Sequence, residues 1–375
     1  MTSRTVIDIH VLQTVPPSNL NRDDTGSPKS AIYGGVRRSR VSSQAWKRAI
    51  RNDFGTTLDR DDLGVRTLRL VEMVAESIAA NAPDLAEQAL ALATGVLNAA
   101  GLKTKASKKK DAPDETEALA FLSYVQIDAL ARYAVETERD GGKPEAKAAK
   151  LLADSDHSID VALFGRMVAS STDLNVDAAC QVAHAISVHG VENEFDYFTA
   201  VDDRKLGDES VGAGMIGVVE FNSSTLYRYA SLDADMLLAN LGDGKAVVRA
   251  VSAFLRSMAT SMPSGKQNTF ANRTLPDAVL ISVRDDQPIN FVGAFEDAVT
   301  STGGRVESAA RKLAEHATQV IDIYDAAPVS SWVIRTGQTG RHLDPLGTVG
   351  SLADSVSAAA ELVGTRLAAN QAAER

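Results

Sequence analysis

An α+β fold on the ferredoxin-like, split βαβ plan is predicted by the order strand, helix, long insertion, two strands, helix, strand along the 375 residues. Two strongly amphipathic helices and an alanine- and leucine-rich block between the two halves support that reading. A chain of this length buries a sizeable core in two typical domains, or in one domain with a large insertion.

The elements follow in order. Val6 to Leu12 alternates, with Ile7, Ile9 and Val11 on one face, and reads as a strand half covered by helices. Pro16 to Arg40 contains Pro16-Pro17 and Gly34-Gly35 and shows neither period, so it reads as a long loop, and loops of that length more often carry function than not. Ser42 or Ser43 then caps a helix reaching about Asn52. Gln44, Lys47, Arg48 and Arg51 recur at i, i+3, i+4 and i+7, while Trp46, Ala49 and Ile50 fall on the opposite face. One side packs and the other is cationic.

From Val65 to about Val161 the spacing of Leu68, Val71, Val74, Ala75, Ile78 and later Leu119, Leu122, Val125 and Leu130 is helical. Two polar stretches interrupt it, KTKASKKK (Lys103 to Lys110) and Asp140 to Pro144; the lysine run is expected to be a mobile surface loop. Ile216 to Glu220 and Ser224 to Ala230 read as two strands around a short polar turn. Lys245 to Met262 is an amphipathic helix with Val247, Val248, Val251, Phe254, Leu255 and Met258 on one side, and Ala278 to Val283 is a buried strand. The C-terminal stretch alternates short helices with turns and reads as peripheral.

Composition excludes several classes. Hydrophobic residues make up 44% and charged residues 23%, which fits a folded globular chain rather than a disordered one. No run of about 18 apolar residues exists, and Asp8 and His10 fall where a secretory signal needs an unbroken apolar run, so neither membrane spanning nor export is expected. The single cysteine, Cys180, points to a reducing compartment, and the expected location is cytoplasmic. There is no Walker loop, no GxSxG elbow and no CxxC pair; Gly242 to Lys245 and Gly265-Lys266 lack the required context. No cofactor is expected.

The net charge of −10 conceals a segregated distribution. Thr25 to Asn52 holds seven basic residues (Lys29, Arg37, Arg38, Arg40, Lys47, Arg48, Arg51) and no acid, which leaves 32 basic against 49 acidic side chains elsewhere. Solvated helix faces normally mix signs through i, i+4 pairs, so this segment is expected to lack local partners and to meet phosphate. His184 and His189, read as five apart on a helix, are poorly spaced for a metal, and packing or surface roles are expected. Asp23-Asp24 adjoins the basic stretch; Asx-type capping of the loop is the expected role, against holding magnesium for hydrolysis. Phe195-Asp196-Tyr197-Phe198-Thr199 leads into a glycine-rich stretch, Gly207 to Gly217, that resembles a projecting hairpin. Its rings are either a core anchor or wedges against bases.

The blocks IDIHVL, NLNRDD, AIYGGVRRSRVSSQAWKRAIR, DVALFGRM, AHAISVHGVENEFDYFTAVDD, LYRYA and SGKQNTFA, in this order, closely resemble the repeated backbone subunit of the type I-E CRISPR surveillance complex, Cascade (the CasC-type RAMP proteins). The resemblance implies a hand-shaped RAMP fold: a modified ferredoxin-like, RRM-like palm, an inserted helical finger domain and a thumb hairpin. On that plan residues 1–60 are the first part of the palm, with the RNA-binding loop and helix. Residues 61–160 are the finger, 161–190 a palm connection, 191–220 the thumb, and 221–375 the rest of the palm and the C-terminal region.

By the same resemblance, Arg22, Lys29, Ser42, Gln44, Lys47 and Arg51 contact RNA phosphate and ribose. Arg166 and Met167 fall in the GRM match, where the methionine packs against guide bases. Tyr197, Phe198 and Thr199 belong to the thumb, and Lys266 and Gln267 to a further backbone-binding loop. Tyr197 stands where the family more usually has tryptophan. The implied partners are a CRISPR guide RNA (crRNA), further copies of the chain stacked head to tail along it, other Cascade subunits, and target DNA through guide pairing. The expected function is a non-catalytic scaffold for antiviral defence. Two alternatives stay open: a metal-dependent endoribonuclease of type III character using Asp23 or Asp24, and a protein-interaction module whose basic face meets an acidic partner.

Overall fold

The computed structural model describes residues 4–110, 112–168, 171–199, 216–301 and 304–373. It is an α+β protein whose chain divides into two compact units. The first comprises Met1–Asp53, Val182–Ser231 and Phe254–Arg375; the second comprises Phe54–Gln181 and Leu232–Ala253.

The first unit is built on a large sheet. Its strands include β1 (Val6–Ser18), β2 (Ser30–Tyr33), β3 (Val36–Val41), β4 (Ala185–Ser187), β5 (Glu194–Thr199), β6 (Ile216–Asp233), β7 (Ala278–Arg284), β8 (Ser330–Arg335) and β9 (Thr348–Val349). The order across the sheet is β9-β8-β7-β1-β6-β4-β3-β2, with β5 pairing β6 off this path. β1 and β7 are antiparallel, with Ile9 opposite Ile281 and Val11 opposite Val279.

β1 departs from a half-covered strand, because it is buried on both faces. Ile7, Ile9 and Val11 face one layer, and Asp8 and His10 are as deeply buried on the other. The polar pair survives there because it is bonded. Asp8 accepts from the Tyr229 hydroxyl at 2.6 Å and the Ile289 amide at 3.0 Å, and His10 Nδ1 lies 2.9 Å from the Tyr227 hydroxyl. Burial raises the Asp8 carboxyl to about 6 and lowers the His10 imidazole to about 3.

The stretch read as a loop from Pro16 to Arg40 is largely ordered sheet. β1 continues to Ser18, and β2 and β3 form a hairpin with Ser30 opposite Ser39 and Tyr33 opposite Val36. Gly34 and Gly35, both at positive φ, make its turn, which masked the period in the sequence. The two strands expected around a polar turn at Phe221 to Ser223 are instead one 18-residue strand, β6. The C-terminal region is not peripheral: helices Val306–Ile323 and Leu352–Ala373 bury Leu313 and Val363, and β8 joins the sheet.

Helix α1 (Ser43–Phe54) follows β3. Trp46 and Ile50 are fully buried, and Trp46 sits in a cluster with Val15, Val41, Ala185 and Leu226. Over the Trp46 ring, at 3.7 Å, lies the guanidinium of Arg228, itself 1% exposed, which donates to Gln13 Oε1 at 2.6 Å and to the Met258 carbonyl. Burial lowers that guanidinium to about 9.

The second unit is mainly helical, with helices Leu70–Asn81, Ala89–Ala99, Tyr124–Arg139, Ala146–Ala153 and Ile159–Phe164 around a core that includes Val74, Ile78, Val96, Leu97 and Leu130. Two short antiparallel ladders are added, Gly64–Thr67 with Ala120–Ser123 and Thr104–Lys105 with Glu115–Thr116. Among the described residues no helix is long and apolar enough to cross a membrane.

Candidate nucleic-acid interface

Four pieces of the first unit carry its predicted site residues: the first loop, α1, the loop at Lys266 and the ribbon β5–β6. Each is fixed by local chemistry.

The first loop runs from Asn19 to Lys29. Asp23 organises it, Oδ1 accepting from the Thr25 amide at 3.0 Å, the Thr25 hydroxyl at 2.7 Å and the Ser27 amide at 3.0 Å. These bonds, the Thr25 hydroxyl first among them, hold the Asp23 carboxyl below the usual range. The capping role expected for this carboxylate pair is met by Asp23. Arg22 and Asp24 are exposed, Arg22 pairing through its backbone with Pro28, and Lys29 is half-buried.

α1 begins where that loop is tied down. Asn21 Oδ1 accepts from the Ser42 amide at 2.9 Å, and Ser42 Oγ accepts from the Ala45 amide at 3.4 Å. Ser42 is thus the helix cap, 6% exposed, and the hydroxyl expected to touch RNA already serves the backbone. No acid occupies the first turn, so the amide end of the helix keeps its positive potential, with Gln44 exposed upon it. Arg48 is exposed, and Lys47 and Arg51 are half-buried. Lys47 and Arg51 both have intramolecular partners.

The seven cations also differ among themselves. Arg38 is fully buried and donates to the carbonyls of Tyr33, Ser187, Phe295 and Glu296 at 2.9 to 3.3 Å. It clamps the hairpin to the sheet and takes no part in any surface. Arg40 NH1 lies 3.0 Å from His184 Nδ1, whose pKa is lowered by burial and by the Arg40 and Lys29 charges. His184 and His189 flank a strand rather than sharing a helix, and His189 is buried with Nε2 accepting from the Thr225 amide at 3.1 Å. Among the described residues no group of three metal-ligating side chains occurs.

The Lys266 loop is seated on the first loop. A Cβ on Gly265 would lie 2.2 Å from the Leu20 carbonyl oxygen, so only glycine permits that approach. Lys266 is in the left-handed region at φ 51°, and Gln267 opens the short helix Gln267–Phe270, whose Phe270 ring packs 5.7 Å from Phe221 at the foot of the ribbon.

The ribbon is exposed along its length. All six residues of β5 face solvent, with Phe195 67%, Tyr197 62% and Phe198 39% exposed. The core-anchor reading of these aromatics is therefore overturned, since among the described residues no layer covers them. Phe198 lies across Gly217, where a Cβ would meet the ring at 2.3 Å. Part of the glycine-rich stretch, 207–215, lies outside the described residues. Phe195, although within the aromatic cluster, was not singled out in the sequence, and its alternation with Tyr197 on one face is the signal that marks it.

Arg166 and Met167 belong to the second unit. Arg166, expected at RNA, is 4% exposed; its guanidinium donates to the Leu174 and Ala153 carbonyls at 2.6 and 2.9 Å and to Asp154 Oδ1 at 2.8 Å. A buried cation must satisfy its donors internally, and these contacts do so. Met167 beside it is 80% exposed.

Comparison with known proteins gives a consistent picture. None of the curated proteins matches the chain. Solved structures that do match include a chain of a CRISPR RNA-guided surveillance complex in a pre-nicking state, with TM-score 0.84 and 38% identity over 95% of this chain and 100% of that one, and a chain of another CRISPR RNA-guided surveillance complex, with TM-score 0.75 and 31% identity over 95% and 99%. The sequence profile described as CT1975-like protein matches residues 7–358. With its sheet, its basic helix and nearly its whole length matched in this way, the chain belongs to the CT1975-like protein family.

Proposed function

We propose that the chain is a non-catalytic, RNA-binding backbone subunit of a CRISPR RNA-guided surveillance complex, one that polymerises head to tail along the guide RNA. The observation that carries this reading is the acid-free cationic stretch folded onto a single rigid support: the first loop, the cap of α1 and the Lys266 loop meet in one unit, with the polar face of α1 set on buried Trp46 and Ile50. Arg22, Lys29, Lys47, Arg51 and Lys266 grip phosphates, and Gln44 and Gln267 reach ribose or backbone. Arg166 acts beneath the surface, fixing the backbone that presents Met167.

The neighbour order β7-β1-β6-β4 supports a ferredoxin-like palm, the helical second unit the finger, and the exposed ribbon β5–β6 the thumb. The aromatic face of the ribbon suits wedging against bases, and specificity for foreign DNA then resides in guide pairing, with other subunits completing the complex. The type I-E character rests on the sequence blocks alone. Asp23, spent on the amides and hydroxyl of its own loop, supports a scaffold over an endoribonuclease.

The test is to purify the full chain under nuclease protection and sequence the nucleic acid that accompanies it, then to add complementary RNA and magnesium. RNA of uniform length, with the complementary strand left intact, is expected. Periodic cuts abolished by Asp23→Ala or Asp24→Ala would establish the enzyme instead, and absence of bound RNA would leave a protein-interaction module.

A further inference from the structure

The RNA reading does not use one carboxylate that lies within its surface. Glu220 stands on β6 opposite Phe195, at the foot of the exposed ribbon. An acid among phosphate-binding cations repels the ligand, so its place there calls for another role. Its contacts define one. Ser27 of the first loop donates to Oε1 at 2.9 Å, and Asn193, just before β5, donates to Oε2 at 2.9 Å. Asn193 Oδ1 in turn accepts from Asn222 Nδ2 at 3.0 Å, and Asn222 Oδ1 accepts from the Ser39 hydroxyl of β3 at 3.1 Å. Asn19, 1% exposed, spans the same junction through the main chain, donating to the carbonyls of Gly26 and Glu220 at 2.9 Å each.

Among the described residues no layer covers the ribbon, and two strands alone are marginal in water. Its direction is therefore decided at its base, where the carboxylate bonds both to Ser27 of the first loop and to Asn193 just before β5. We infer that Glu220 is a positioning residue: through Ser27 and Asn193 it locks the pose of the aromatic ribbon to the loop that carries Arg22 and Lys29. This inference rests on the RNA-binding reading for its consequence, but the lock itself exists in the free protein.

Two measurements on the full chain test it. In the free protein, amide hydrogen exchange of residues 194–199 and 23–27 should accelerate together by about fivefold in Glu220→Ala, the worth of one hydrogen bond. Glu220→Gln should stay near wild type, because its amide oxygen keeps an acceptor for Ser27 and its nitrogen donates to Asn193 Oδ1 once the Asn193 and Asn222 amides flip together, the Ser39 hydroxyl then accepting from Asn222 Nδ2. In the bound protein, single-stranded RNAs carrying one 2-aminopurine at successive positions should brighten where a base is unstacked. Glu220→Ala should lose most of that rise, and Glu220→Gln should retain it.

Both variants remove the same charge, so equal behaviour, or tighter RNA binding in both with the fluorescence rise intact, overturns the positioning role. Ser27→Ala, which removes the donor to Glu220 and the 3.2 Å acceptor of the Thr25 hydroxyl, should reproduce the coupled exchange if Glu220→Ala fails to fold; exchange changing in one segment without the other rejects the lock. A wild-type protein that gives no fluorescence rise at any position refutes the base-wedging reading of the ribbon, while the exchange experiment still decides the lock.

Discussion

The chain has two lysine- and arginine-rich segments, and they are built differently. α1 carries Lys47, Arg48 and Arg51 on a helix whose other face is locked by fully buried Trp46 and Ile50, with the Arg228 guanidinium stacked on the indole. The run from Lys103 to Lys110 is attached by a two-residue ladder, and Lys103, Lys105, Lys108, Lys109 and Lys110 are all exposed. Two basic segments of the sequence thus correspond to one array on a packed helix and one solvated edge. A polyanion gains from charges whose positions are fixed in advance, since ordering a lysine side chain costs up to about 2 kcal/mol of rotamer freedom.

The strongest way to break this contrast is to remove the support. Trp46→Ala should cost about 3–5 kcal/mol of stability, read as a lowered midpoint in denaturant, and abolish RNA binding with it. Unchanged stability would mean that α1 does not depend on that ring. Next in size is charge reversal. Lys47→Glu should weaken binding of single-stranded RNA by about tenfold or more, and Lys109→Glu by much less, in parallel titrations at one salt concentration. Equal losses would erase the distinction between the two segments.

Salt dependence sharpens it further. With five gripping cations, Arg22, Lys29, Lys47, Arg51 and Lys266, the log-log slope should lie near about −3.5 and flatten by about 1.4 in Lys47→Ala/Arg51→Ala. A wild-type slope near zero would exclude phosphate contacts altogether. The smallest expected effect is that of Asp23→Ala. It should slightly loosen the first loop, visible as faster exchange at Thr25 and Ser27, while complementary RNA remains uncut.

Much of α1 was legible in the sequence because a helix is local: the cap at Ser42, the apolar face of Trp46, Ala49 and Ile50, and the opposed polar face all follow from a 3.6-residue period within one segment. The strands were harder. The β2–β3 hairpin is interrupted by two glycines and carries Arg37, Arg38 and Arg40 in β3, and β4 is only three residues long, so neither presents a period; β3 and β4, far apart in the chain, supply hydrogen bonds to each other. β6 was split because Asn222, Ser223 and Ser224 read as a turn, whereas Asn222 is buried and bonded to Ser39 and Asn193.

By itself the sequence determined the α+β class, the packing face of α1, the segregation of charge and the family blocks, all of which depend on residue order and near neighbours. Tertiary structure alone decided which cations are surface and which are framework. Arg37 and Arg38 are adjacent and chemically identical, yet the pleat turns one to solvent and the other onto four carbonyls. The same holds for the aromatics of β5, exposed because no element among the described residues packs over them, and for Arg166 and Met167, one turned inward and one out. Whether a side chain meets water or protein is settled by segments far away in the chain, and local pattern does not encode their arrival.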